Sequence, residues 1–253
     1  MATIVAIAMA AYATTDLVHE VLGHGVAVLL SPGIRATALT TVALQTTTSS
    51  RWVAAAGSIA NVVVGSGAYA LFHHRRFWDP WTLFLALSAS TNLLNGTGYL
   101  FFSALLNFGD WAVVIGGATP AWAWRTVMGL VGAISYGLVI RGGSRSPARL
   151  IRLRLISRDE PRRVLIPAYI AGGLLFVLAA AMNPIGPQLI LTSGVSSGFG
   201  AMAGLAYLPF SVEARTDDLS LEAQPLPFSI GWCVAGAVIA LLFVGVAGPG
   251  IQL

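Results

Sequence analysis

Long apolar segments separated by short polar ones run along the whole chain. A helix needs about 20 mostly apolar residues to cross a bilayer, and stretches of this kind recur throughout the sequence. They lie at 1–30, 52–72, 80–109, 121–140, 164–182, 188–208 and 229–247. This pattern predicts an all-α integral membrane protein, a polytopic bundle of about six to seven transmembrane helices.

One segment departs from this helical pattern. Residues 31–51 are rich in threonine and alanine and start with a Pro-Gly pair at 32–33. β-branched residues next to such a turn favour extended structure. We therefore expect a short β-like strand pair directly after the first helix, near the membrane surface.

The composition supports a membrane protein. Of the 253 residues, 56% are hydrophobic and only 9% are charged, whereas a soluble domain has about 25% charged residues. These values exclude a cytosolic globular, disordered or collagen-like chain. The basic residues that give the net charge of +4 are arginines between apolar stretches. They therefore indicate membrane orientation and no nucleic-acid partner.

We expect a single membrane domain, 1–253, in which a cluster of charged residues separates two apolar parts. Residues 141–163 form an arginine-rich loop with eight arginines against two acids. It separates a core, 1–140, from additional transmembrane helices at 164–253. By the positive-inside rule alone, this loop and the arginines at 75–76 lie in the cytoplasm, and 31–51 lies outside; the sequence leaves the membrane orientation open.

The first apolar segment carries ionisable side chains. It lacks the basic start of a signal peptide, so we expect it to be retained. Asp16, His19, Glu20 and His24 lie within it, and ionisable groups inside a membrane are costly and mark functional sites. The pattern is H-E-x-x-x-H. In the zincin pattern H-E-x-x-H, two histidines one helical turn apart bind zinc and the glutamate is the general base.

The histidine spacing has one residue more than the zincin pattern. On an α-helix His19 and His24 would point roughly 140° apart, but a π-helical turn would reduce this angle to roughly 50°. A shared metal therefore requires the first helix to deviate from α around Gly23. Without that deviation, Asp16, Glu20 and His24 share one face and form an alternative metal site.

Three motifs together resemble the site-2 protease family of intramembrane zinc metalloproteases. His19-Glu20…His24 is similar to its histidine–glutamate motif. The segment A-A-G-S-I-A-N, which ends at Asn61, is similar to its A-G-P-x-x-N motif. Asn92-Leu-Leu and the later Gly-Asp110 are similar to its N-L-L-P…D-G motif. The motif order and the extended segment after the first motif also match, over about the first 115 residues.

The resemblance implies an enzyme that uses Zn²⁺ to hydrolyse a peptide bond in or near a transmembrane segment of a membrane-protein substrate. It implies zinc ligands at His19, His24 and Asp110, a general base at Glu20, and substrate-binding residues at Asn61 and Asn92. We expect a multi-pass protein of the plasma membrane whose partners are the bilayer and this substrate. The sequence does not indicate an oligomeric state.

The chain differs from the family pattern in four places. The histidines have one extra residue between them, Ser58 replaces the proline, and Trp111 replaces the glycine after the aspartate. Asp110 also lies farther from Asn92 than in the family.

Other interpretations stay open at this point. One is a hydrogen-bonded polar cluster that binds no metal. Another is a non-hydrolytic membrane protein: a metal-binding scaffold, a transporter with a proton or cation relay, or an assembly subunit. The apolar stretches after residue 163 contain no acid or histidine. A relay would thus be confined to the first half of the chain, which favours the protease.

Overall fold

The computed structural model describes residues 1–216 and 225–253, and 73% of the chain is helical. The all-α prediction is confirmed at this level, as is the strand pair after the first helix. The helices are α1 (Ala2–Leu29), α2 (Arg51–His73), α3 (Pro80–Leu106), α4 (Asp110–Val114), α5 (Ala121–Gly143), α6 (Arg145–Arg152), α7 (Glu160–Ala181), α8 (Ile190–Glu213) and α9 (Ile230–Ala247). The strands are β1 (Ala36–Leu39), β2 (Leu44–Thr46) and β3 (Ile251–Gln252).

Six helices in the described part of the chain are long and apolar enough to cross a membrane. They are α1, α2, α5 with α6, α7, α8 and α9. The predicted span at 80–109 is a 27-residue helix, α3, but it is not among these six. Polar residues, including Thr91, Asn92, Asn95 and Thr97, lower the hydropathy of α3, and all four are buried.

The hydrophobic core surrounds α1. Tyr12 on this helix is fully buried and packs edge-to-face against Phe176 of α7, with ring centroids 5.5 Å apart. The same cluster of buried residues includes Leu87 of α3, Leu205 of α8 and Phe243 of α9. The helices after residue 163 therefore contribute side chains to the same core as α1 and α3.

The arginine-rich segments meet at one end of the bundle. The Arg149 guanidinium donates to the backbone carbonyl oxygens of His73 and Arg75, at 2.8 and 3.0 Å. Arg215 donates to the Ser144 hydroxyl at 2.8 Å. The 141–163 loop and the 75–76 arginines thus lie on the same side, which is the relation that the charge pattern predicts.

A three-stranded antiparallel sheet has the order β2-β1-β3. Leu39 of β1 is paired with Leu44 on one side and with Ile251 on the other. The Thr41 backbone N–H also donates to the Ala247 carbonyl, at 3.1 Å, where α9 ends. β1 is the central strand and pairs with β2 on one side and with β3 on the other. Within the described residues, the outer edge of β2 pairs with no strand.

Candidate metal centre

The first helix is π-helical over Val18–Gly25, which is the deviation that a metal shared by His19 and His24 requires. The two imidazole rings are nearly perpendicular, with centroids 4.8 Å apart. Just before this segment, the Thr15 carbonyl accepts a hydrogen bond from the Asn61 side chain at 2.9 Å. A side chain of α2 thus satisfies a backbone group at the change of helix type, where the regular ladder is disturbed.

Two glycines bring the π-segment against α2. A Cβ on Gly23 would collide with the backbone of Gly57, and a Cβ on Gly57 would lie 2.6 Å from His19 Nε2. Neither position has room for a methyl group. The close approach of the two helices, and the space around the His19 ring, therefore depend on both glycines.

Replacing Gly23 by alanine is expected to destabilise the protein by about 1–3 kcal/mol, the usual cost of overpacking. Gly25 is the matched control, because a Cβ there would meet its nearest neighbour, the Glu20 carbonyl oxygen, at 3.6 Å. Thermal unfolding in detergent compares the two variants. Equal unfolding temperatures for Gly23→Ala and Gly25→Ala would contradict the packing argument.

Each histidine presents its Nε2 atom to the same point. His19 Nδ1 donates to the Asn61 amide oxygen, and His24 Nδ1 donates to the Val53 carbonyl, both at 2.7 Å. A neutral imidazole carries one proton, so these bonds leave the Nε2 lone pairs free. Such a bond at the second ring nitrogen is typical of histidines that bind metals.

Asp110 completes a cluster of three ligand atoms. Its Oδ2 lies 2.9 Å from His19 Nε2 and 3.2 Å from His24 Nε2, and all three atoms lie within 4.8 Å of one another. Ligand atoms of a tetrahedral zinc ion are about 3.4 Å apart, given bonds of about 2.0–2.2 Å. The two distances to Asp110 lie within about half an ångström of this spacing, and the group as a whole, which extends to 4.8 Å, would contract to hold such an ion.

The chain returns Asp110 to the histidines through a tight turn after α3. Asn107 ends the helix in the left-handed conformation, with φ 53°, and Gly109 has φ 81°. α4 then begins at Asp110. The long separation of Asp110 from Asn92 in sequence is therefore taken up by about four helical turns of α3 and this reversal.

Glu20 lies beside the three ligand atoms but outside their group. Its side chain is buried, with 5% exposure, and its Oε2 accepts a hydrogen bond from the Leu44 backbone N–H of β2 at 2.6 Å. Because His19 and Asp110 join His24, the cluster differs from the alternative set of Asp16, Glu20 and His24.

A cavity of about 230 Å³ opens onto this cluster. Glu20, His24 and Asp110 line it, together with Tyr99 of α3. The remaining walls come from the strand pair and from the start of α2, through Val42, Ala43, Leu44, Thr46, Ser49, Ser50, Val53, Ala54 and, from α4, Val113. The polar cluster is thus buried in the bundle but reachable from the side of the β-sheet.

Asn61 and Asn92 belong to a buried amide network behind His19. Both side chains are fully buried, and Asn61 donates to Asn92 at 2.8 Å. Asn95 donates to the Asn61 oxygen at 3.1 Å, and Asn92 donates to the Thr15 hydroxyl at 3.0 Å. The described lining of the cavity includes neither Asn61 nor Asn92, so their contacts here are with α1 and with each other.

Two departures from the family pattern contact each other. The Trp111 indole N–H donates to the Ser58 hydroxyl at 3.0 Å, which ties α4 to α2 directly beside the cluster. The sequence alone does not show that these two positions are in contact. It also does not place Tyr99 beside the cluster, although Asn92, Asn95 and Tyr99 follow the i, i+3, i+7 spacing of one helix face.

No family model, curated protein or solved structure matches this chain.

Proposed function

We propose that the chain is a zinc-dependent intramembrane protease, a multi-pass protein of the plasma membrane that cleaves a membrane-protein substrate. One observation carries the proposal: His19 and His24 have their Nδ1 protons bound elsewhere and direct Nε2 at the same carboxylate oxygen of Asp110. With both imidazoles neutral, three acceptor atoms lie at this separation, and a cation among them would remove their mutual repulsion.

The donor set suits zinc. Two imidazole nitrogens and one carboxylate oxygen are a usual ligand combination for catalytic zinc, which keeps a fourth position open. When bound at such a site, Zn²⁺ acts as a Lewis acid and lowers the pKa of water. The cavity beside His24 and Asp110 provides the space for that fourth position.

Glu20 supplies the proton transfers in this proposal. Its carboxylate takes a proton from water as the water oxygen forms a bond to the scissile carbonyl carbon. It then gives that proton to the peptide nitrogen as the C–N bond breaks, so that one water yields a carboxylic acid and an amine. The hydrogen bond from Leu44 occupies one oxygen of Glu20 and leaves the other for this work.

In this proposal an extended substrate segment adds to the outer edge of β2, which pairs with no strand in the described residues; the Leu44 N–H stays bonded to Glu20. This edge borders the cavity through Leu44 and Thr46, while β3 covers the opposite edge of the sheet. Strand addition provides backbone hydrogen bonds to any extended peptide. An unwound transmembrane segment lying along β2 would bring its peptide bonds next to Glu20.

Metal removal tests the proposal. We expect the purified protein, in liposomes with a single-span membrane protein, to cleave that protein, to lose cleavage with a zinc chelator, and to regain it with one equivalent of Zn²⁺ but not of Mg²⁺. Cleavage that resists chelation would contradict the zinc centre. Zinc binding without cleavage of any membrane protein supplied would support the scaffold alternative instead.

A further inference from the structure

We infer that Tyr99 is a further catalytic residue, which donates a hydrogen bond to the oxyanion that forms when water adds to the scissile carbonyl. This inference rests on the proposed function. Hydrolysis of an amide places negative charge on the carbonyl oxygen, and preorganised donors at this position are among the largest contributions to catalysis. The proton transfers of Glu20 do not provide such a donor.

The ring of Tyr99 is fixed beside the cluster. It packs edge-to-face on His19, with ring centroids 5.4 Å apart and an interplanar angle of 82°. Phe102, nearly one helical turn later, stacks in parallel with it at 6.3 Å. Tyr99 also lines the cavity together with Glu20, His24 and Asp110. An aromatic side chain held by two other rings has little freedom to move away from the site.

The hydroxyl of Tyr99 lies against the backbone turn that leads into Asp110. A Cβ on Gly109 would lie 2.6 Å from the hydroxyl oxygen. The phenol carries its own O–H proton and can donate it. The absence of a side chain at Gly109 therefore leaves space for the hydroxyl to remain at the edge of the cavity.

The cavity lining also contains the hydroxyl groups of Thr46, Ser49 and Ser50. Thr46 donates to the Thr48 carbonyl at 3.1 Å, and Ser50 caps α2 by accepting from the Val53 N–H at 3.5 Å. Tyr99 differs from these three because its ring contacts His19, one of the proposed ligands.

The test is Tyr99→Phe, which keeps the ring and removes only the hydroxyl. We expect unchanged zinc content, little change in KM, and a fall in kcat of about 10²–10³, the usual effect of losing one oxyanion donor. Affinity for a phosphinic peptide, a mimic of the tetrahedral intermediate, should fall in parallel. Tyr136→Phe is the matched control, because its hydroxyl bonds to Ala201 and Gly204 in another part of the bundle.

The outcomes separate this inference from the proposed function. If Tyr99→Phe cleaves and binds the phosphinic peptide like the parent, the inference is overturned and the protease assignment stands. If Tyr99→Phe loses zinc, the residue acts by holding Asp110, and the donor role is overturned. If the parent protein neither cleaves nor binds the phosphinic peptide, the proposed function and this inference both fall.

Discussion

Replacing Glu20 by glutamine is expected to abolish most of the peptidase activity while leaving zinc bound. The carboxylate lies outside the group of atoms that converge on the metal position, so the amide removes no ligand. General acid–base catalysis contributes about 10²–10⁴-fold to rates, and we expect cleavage to fall by about that factor. Zinc content and cleavage rate are measured on the same preparation.

The fold should tolerate this change, because a glutamine oxygen can still accept the hydrogen bond from the Leu44 N–H. Glu213→Gln, at the end of α8, is the matched control for a lost carboxylate elsewhere in the bundle. Loss of zinc in Glu20→Gln would make Glu20 a ligand and remove the general-base assignment. Retention of both zinc and full cleavage would show that the site is not hydrolytic.

Replacing His24 by alanine is expected to eliminate zinc binding and cleavage together. Removing a residue that hydrogen-bonds to a metal ligand already lowers metal affinity by about 10–100-fold. Removing the ligand itself lowers the affinity further. The imidazole also bonds to the Val53 carbonyl, so circular dichroism should confirm that the helices remain. His74→Ala is the control, since His74 is exposed and follows α2 at the arginine-rich end. One equivalent of zinc in His24→Ala would contradict the proposed centre.

The sequence predicted the helical bundle and the strand pair because hydropathy and β-branched residues report directly on both. It also named the three residues that converge, His19, His24 and Asp110. For His19 and His24, the sequence indicates only that they can share one metal if a π-helical segment forms between them. Whether one forms depends on contacts between helices, here Gly23 against Gly57 and Asn61 against Thr15, which no local pattern displays.

Other parts of the site could not be predicted, because they join distant parts of the chain. The Leu44 N–H that holds Glu20 is a backbone group, and backbone groups leave no signature in the sequence. Ser58 and Trp111, 53 residues apart in sequence, are joined by one hydrogen bond. The sequence predicts an apolar span at 80–109 and does not reveal the buried polar face of α3, because the asparagines of this helix are separated by leucines.

β3 links the sheet that lines the cavity to α9, a helix whose tilt depends on the thickness of the bilayer. α9 is strongly apolar, and only 11% of its apolar stretch is buried, so most of its surface is available to lipid. It touches α1 closely where Gly236 meets Ala6, and at its other end it is bonded to Thr41 and, through Leu253, to Thr37. A membrane helix adjusts its tilt to the thickness of the surrounding bilayer, at a cost of fractions of a kcal/mol per Å. A change in the tilt of α9 about the Gly236 contact would move β3 and the sheet whose Leu44 N–H holds Glu20, so we expect bilayer thickness to alter the position of the proposed general base.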